Sequence, residues 1–298
     1  MSDQQGIVVG VDGSPASMAA VEWAARDAEL RNVPLKVVYV VVPLVVTEGW
    51  SEAAGDYAHF QQEQARQIVE HAHKVAVEAT SSDRAAQVST EIFHASVVPT
   101  LVELSKRADM VVVGSRGQGA VARAVMGSVS SGVARRAHCP VAVVHDDVPF
   151  AERAQAPVVV GIDGSPASEL ATQIAFDEAS RRGVELVALH AWSDMGPLGF
   201  PPTNWAPIEW RNIKDEERAL LAQRLAGWQE QYPDVVVRRV VVCDQPTPRL
   251  LEQAENAQLL VVGSHGRGGF PGMLLGSVSS AVANAAQIPV IIARMPRD

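Results

Sequence analysis

Residues 7–17 read IVVGVDGSPAS, and residues 158–168 read VVVGIDGSPAS. Nine of these eleven positions are identical, at a separation of 151 residues. Each stretch is a short β-branched run that stops at Asp-Gly-Ser-Pro. Such a run forms a buried strand, and the tetrapeptide forces a turn. Pro15 and Pro166 suit the first position of a helix, with Ser14 and Ser165 as N-caps. The unit is therefore strand, tight turn, helix, and it occurs twice.

Further blocks recur in the same order. MVVVGSRGQG at 110–119 is echoed by LLVVGSHGRG at 259–268. GSVSS occurs at 127–131 and again at 276–280, and Pro140-Val141 has its counterpart in Pro289-Val290. A period near 150 residues is too long for a solenoid repeat. It predicts two homologous domains, 1–146 and 157–298, joined by a polar, Pro-containing stretch.

Each half alternates strand-like and helix-like patterns. In the first, strands are expected at Ile7–Val11, Leu35–Val42, Gln87–Phe93, Asp109–Gly114 and Val141–Val144, with helices between them. The second repeats this near Val158–Ile162, Glu185–Ala191, Val235–Val242, Leu259–Gly263 and Val290–Ala293. Several runs are apolar throughout instead of alternating, which points to a sheet covered on both faces. The fold class is α/β: two tandem, doubly wound, Rossmann-like parallel-sheet domains with right-handed crossovers. Ligands bind such sheets beyond the C-terminal strand ends, where the strand order reverses.

The composition agrees. The 298 residues are 47% hydrophobic and 20% charged, with a formal net charge of −9. This excludes a wholly disordered chain and gives no global attraction to nucleic acid or anionic lipid. Two cysteines, Cys139 and Cys243, are too few for a disulfide framework. No apolar run approaches the roughly 20 residues of a membrane span, and the start of the chain lacks signal-peptide character. A cytoplasmic location is the expectation.

The chemistry-bearing pattern follows the fourth strand. Gly114-Ser115-Arg116-Gly117, nine residues, then Gly127-Ser128 matches Gly263-Ser264-His265-Gly266, nine residues, then Gly276-Ser277. Glycines let a backbone approach a ligand closely, and successive N–H groups make an anion nest. Gly127-Ser128 and Gly276-Ser277 fall at helix starts, where free N–H groups and the helix dipole favour phosphate. Ser130 and Ser279 offer further hydroxyl donors. A plain flexible connection would not require the same spacing in both copies.

These residues resemble the universal stress protein family in its tandem-domain form, over nearly the full chain. The resemblance rests on the strand-one acids, Asp12 and Asp163, and on the doubled G-x-x-G-(nine)-G-S pattern, which marks the family's ATP-binding branch. It implies the strand order 3-2-1-4-5 and an ATP pocket at the ends of strands one, two and four. It also implies that the last strands pair domain to domain, within or between chains. A homodimer and a regulatory protein partner are expected.

Two nucleotide-binding sets follow. The first is Gly10, Asp12, Gly114, Ser115, Arg116, Gly117, Gln118, Gly119, Gly127, Ser128, Val129 and Ser130. The second is Gly161, Asp163, Asp194, Gly263, Ser264, His265, Gly266, Arg267, Gly268, Gly276, Ser277, Val278 and Ser279. Mg²⁺ would come with the ATP phosphates, without dedicated side-chain ligands.

Catalytic residues are not expected. A Walker A loop needs a Lys beside its last Gly, and none of the four lysines lies in a Gly-rich turn. Asp12 and Asp163 suit ribose or a metal-bound water better than in-line attack. The alternative is an ATP-dependent enzyme, a slow ATPase or a phospho- or adenylyl-transferase. A third reading is an interaction module without nucleotide. Among lesser features, Cys243 reads best as a small buried hydrophobe. His71 and His73, two apart on a helix, point away from one another and do not suggest a metal site. The Trp- and Pro-containing stretch 193–211 reads as a loop after the second strand, either a lid or partner surface over the pocket or a loop folded back on its own domain.

Overall fold

The computed structural model describes residues 6–43, 51–81, 87–117, 126–145, 150–192, 207–268 and 274–295. The chain divides into two compact units, Met1–Val148 with Arg294–Asp298, and Pro149–Ala293.

The first unit runs β1 (Ile7–Val11), α1 (Pro15–Arg31), β2 (Leu35–Val41), α2 (Ser51–Glu78), β3 (Val88–His94), α3 (Val97–Leu104), β4 (Met110–Gly114), α4 (Ser128–Arg136) and β5 (Val141–Val144). The second opens on a short 3-10 turn, Phe150–Arg153. It continues with β6 (Val158–Gly161), α5 (Pro166–Arg182), β7 (Leu186–Trp192), α6 (Pro207–Gln231), β8 (Val237–Cys243), α7 (Pro246–Ala254), β9 (Leu259–Gly263), α8 (Ser277–Ala285) and β10 (Val290–Ala293). Strands lie in the order β3-β2-β1-β4-β5 in the first unit and β8-β7-β6-β9-β10 in the second. The pairs β1 with β2 and β4, and β6 with β7 and β9, are parallel. The doubly wound α/β reading and the 3-2-1-4-5 order are thus found in both halves.

The central strands are apolar because both faces are covered. All five residues of β4 are buried, as are four of five in β1. The outermost strands depart from this expectation. Most residues of β3 and β8 are partly or fully exposed, because an outer strand has a neighbour on one side only. The stretch 193–211 is also not all loop, since α6 begins at Pro207.

Both helices that leave the first strands start as their sequence dictates. Ser14 caps α1 by accepting the N–H of Ser17, and Ser165 caps α5 by accepting that of Ser168. Gly13 and Gly164 sit at φ 85° and 76°, a turn geometry that side chains resist. The same helices end in the left-handed conformation by two different solutions, Asn32 at φ 59° and Gly183 at φ 65°.

Candidate functional site

The strand order reverses between β1 and β4, and again between β6 and β9. A cleft opens at each reversal, about 450 Å³ in the first unit and about 300 Å³ in the second. The first is lined by Gly10, Asp12, Gly114, Arg116, Gly117, Gly127, Ser128, Val129 and Ser130. The second is lined by Gly161, Asp163, Gly263, His265, Gly266, Arg267, Gly268, Gly276, Ser277, Val278 and Ser279. Residues spread over more than a hundred positions of sequence thus converge twice. Ser115 and Ser264, at 2% and 5% exposure, are buried and do not line the clefts. Gln118, Gly119 and Asp194 lie outside the described residues.

Helices α4 and α8 begin at the clefts. Their N-caps are Gly127 and Gly276, which have no side chain with which to cap the first turn. The first-turn residues Ser128, Val129 and Ser130, with Ser277, Val278 and Ser279, line the clefts. A helix that starts this way offers its dipole and its N–H groups to an anion. The third residue of each helix is a serine that also bonds within the protein. The Ser130 hydroxyl donates to the Gly114 carbonyl at 2.6 Å, and Ser279 donates to Gly263 at 2.5 Å. These bonds clip the helix start to the end of the fourth strand.

The strand-one acids fix the turn after each first strand, and Asp163 also joins that turn to the loop after β9. Asp12 Oδ1 accepts the N–H of Ser14 at 3.0 Å and its hydroxyl at 2.6 Å. Asp163 Oδ1 accepts the N–H of Ser165 at 2.9 Å, and its Oδ2 accepts the N–H of Arg267 at 3.1 Å. The N-cap serines reach across as well: Ser14 Oγ donates to the Arg116 carbonyl at 3.3 Å, and Ser165 Oγ to the His265 carbonyl at 3.2 Å. A Cβ added at Gly117 would stand 2.6 Å from Asp12 Oδ2, and one at Gly266 2.5 Å from Asp163 Oδ2. These glycines are therefore needed first so that the acid can pass. This reason differs from direct obstruction of a phosphate.

Each cleft also has apolar lining residues that the sequence reading does not name. Among them are Val38, Val40 and Leu101 in the first unit, and Leu189, Ala191 and Leu250 in the second. For the residues on β2 and β7 the signal is the C-terminal end of the second strand, where such folds bind ligands. Tyr39 also lines the first cleft. Burial, then the Asp12 carboxylate and Tyr57, raise its pKa above the usual value, so its phenol stays protonated at neutral pH.

The cysteines divide differently from expectation. Cys139 is buried, and its thiol is pushed up to about 12 by loss of solvation. Cys243 is exposed at the end of β8, an outer strand, which corrects its reading as a buried hydrophobe. Among the described residues no cluster of His, Cys, Asp and Glu could hold a metal ion, and no helix is long and apolar enough to cross a membrane.

Two doubly wound α/β units, each with a glycine-lined cleft at the strand reversal, define a tandem parallel-sheet protein. The Universal stress protein family model matches residues 5–145 and 156–294. The universal stress protein Rv1996 of Mycobacterium tuberculosis is 63% identical, covering 100% of this chain and 98% of that protein. Rv2005c of the same organism, also a universal stress protein, is 54% identical over 98% of this chain and 97% of its own length. The chain belongs to the universal stress protein family. A solved universal stress protein from Archaeoglobus fulgidus shares the fold at 20% identity and a TM-score of 0.67, covering 98% of this chain and 99% of that one.

Proposed function

We propose that the protein binds one ATP, with Mg²⁺ carried on its phosphates, in each cleft. It retains the nucleotide with little or no hydrolysis. It acts as a cytoplasmic stress and growth regulator, and a protein partner reads its occupancy. The observation that carries this reading is the polarity of the cleft. In both units an uncapped helix start and several apolar side chains line the same cavity. The helix start suits phosphates and the apolar side chains suit a base. The glycine cradle fits such a ligand, since its N–H groups need no side-chain cation. Binding without turnover is supported by the acids, which accept hydrogen bonds from the backbone around them. A general base must instead be within reach of the proton it takes.

The experiment is direct. The protein is purified without added nucleotide and denatured, and the released small molecules are identified and counted. Two ATP per chain is the expected result. ADP or AMP would favour an ATP-consuming enzyme, and an empty chain that also fails to bind added ATP would overturn the proposal.

A further inference from the structure

The two units differ in charge at the pole opposite the clefts. In the first, helices α3 and α4 end at that pole, just before β4 and β5 begin. Lys106 and Arg107 follow α3, and Arg135 and Arg136 close the last turn of α4. All four are exposed. The His138 N–H donates to Ser105 Oγ at 2.9 Å, which draws the two helix ends together. Glu103 senses this crowd of cations. Its carboxyl is held below the usual value, first by the hydrogen bond from Lys106, then by the fields of Lys106, Arg107 and His138.

The second unit has none of these cations. At a separation of 149 residues, Lys106-Arg107 become Glu255-Asn256, Arg135-Arg136 become Asn284-Ala285, and His138 becomes Gln287. Glu103 keeps a counterpart in Glu252, while Asp109 becomes Gln258. Four cations with two acids in one unit thus stand against two acids and no cation at the same places in the other. The fold does not require the basic set, because both units share one strand order.

The helix ends do not require it either. A helix C-terminus attracts positive charge and donors for its last carbonyls. In α4 the carbonyls of Ala134 and Ala137 already accept from the buried Arg294 guanidinium, at 2.6 and 2.9 Å. In α7 the carbonyl of Ala254, and that of Ala257 just beyond, accept from Arg153. Helix α8 ends with no basic residue in its last turn. Lys106 pairs with Glu103 at 2.6 Å. Among the described residues, Arg107, Arg135 and Arg136 have no carboxylate partner.

We propose that this face of the first unit is a docking surface for an acidic peptide segment of a partner protein. Arginine suits such a segment, since its planar guanidinium grips a carboxylate through two N–H groups. A long polyanion suits the face less. The net charge of −9 repels nucleic acid and anionic lipid at a distance, and none of these residues is an aromatic on which a base could stack. A short acidic segment meets the local cations and little of the remaining negative surface. The partner in the proposed function gains a place to bind, and that place exists whether or not either cleft holds a nucleotide.

The test is a titration of the full chain with a fluorophore-labelled octaglutamate peptide, followed by anisotropy at low and at physiological ionic strength. The wild type should bind at low salt and weaken as salt screens the charges. Arg135→Gln with Arg136→Gln should weaken binding about tenfold, as expected for loss of two exposed charge pairs. Thermal unfolding should barely move, because both side chains are exposed and Arg294 still holds the helix end. Arg66→Gln with Lys74→Gln removes the same charge from exposed sites on α2 and should leave the peptide affinity nearly unchanged. Equal losses in the two double variants would overturn the proposal, since net charge and not the face would then decide. Absence of peptide binding at low salt would overturn it too. So would tighter binding of a short duplex DNA or of phosphatidylserine vesicles, which would make the face a nucleic-acid or a membrane site. A chain that binds the peptide at this face but releases and binds no nucleotide would defeat the nucleotide reading alone.

Discussion

The first and second units are two solutions of one design, and their differences separate what the design needs from what it tolerates. The turn Asp-Gly-Ser-Pro, the cradle glycines and the helix-start serines are identical in both. The side chains around them are not. Arg116 faces one cleft where His265 faces the other, and Tyr39 gives way to a buried His190. Behind the sheet, Ala25 of α1 is replaced by Phe176 of α5, which packs on Trp228 and Tyr232 of α6 with ring centres 6.3 and 5.7 Å away. Backbone geometry is therefore the shared requirement, and side chains tune each copy. This follows from the proposed chemistry, because N–H groups and a helix dipole bind an anion whatever residues surround them.

The largest contrast should appear in two equivalent ion pairs. Glu178 and Arg182 in α5 are 1% and 3% exposed, and the arginine also donates to Gln258. Gln258 in turn donates to the carbonyls of Ala154 and Ala156, which lead into β6. Asp27 and Arg31 in α1 occupy the same places, but the Arg31 side chain is 16% exposed. Glu178→Ala should cost about 3–5 kcal/mol in denaturant unfolding, because it leaves a buried guanidinium without its carboxylate. Asp27→Ala should cost visibly less, since water reaches Arg31. Equal losses would mean that exposure of the arginine does not set the difference.

The cradle glycines offer the next contrast. Gly117→Ala should remove nucleotide from the first cleft alone and Gly266→Ala from the second alone. Each should weaken binding by more than about tenfold, or roughly 1.4 kcal/mol. Calorimetric stoichiometry should drop from two to one per chain in each single variant and to zero in the double. Loss of both sites in either single variant would show that the clefts are not independent. An intermediate loss of thermal stability is also expected for Gly266→Ala, since the displaced acid ties two loops together.

The smallest effect lies at the helix ends. A Cβ at Gly183 would meet nothing within 4 Å, so only its positive φ opposes a side chain. Gly183→Asn should therefore destabilise by about 0.5–1 kcal/mol, and Asn32→Gly should stabilise by a similar or smaller amount. Matching unfolding curves for the reciprocal pair would check whether the two caps are interchangeable. A gain from Gly183→Asn would break the comparison.

Much of this molecule could be read from its residues because local rules sufficed. Repeated Asp-Gly-Ser-Pro specified strand, turn and cap without reference to anything distant. The doubled glycine spacing located the cradle, since a helix start carries its own anion site. The sequence also determined that there are two copies and that each builds a parallel sheet, because apolar runs and βαβ alternation admit few other arrangements. Other features depended on contacts between residues far apart in the chain, which no window of sequence contains. Leu101 and Leu250 became cleft walls only when α3 and α7 crossed the sheet. Ser130 and Ser279 became clips because carbonyls 16 residues earlier lay within reach of their hydroxyls. Cys243 was exposed because its strand took the outermost place. Asp163 became a tie between loops, and His190 came to lie between the Ile162 carbonyl and Glu217 of α6. Sequence determined the elements and the cradle by local conformational preference. Tertiary structure decided the partner of each polar group, because hydrogen bonding is settled by distance in space.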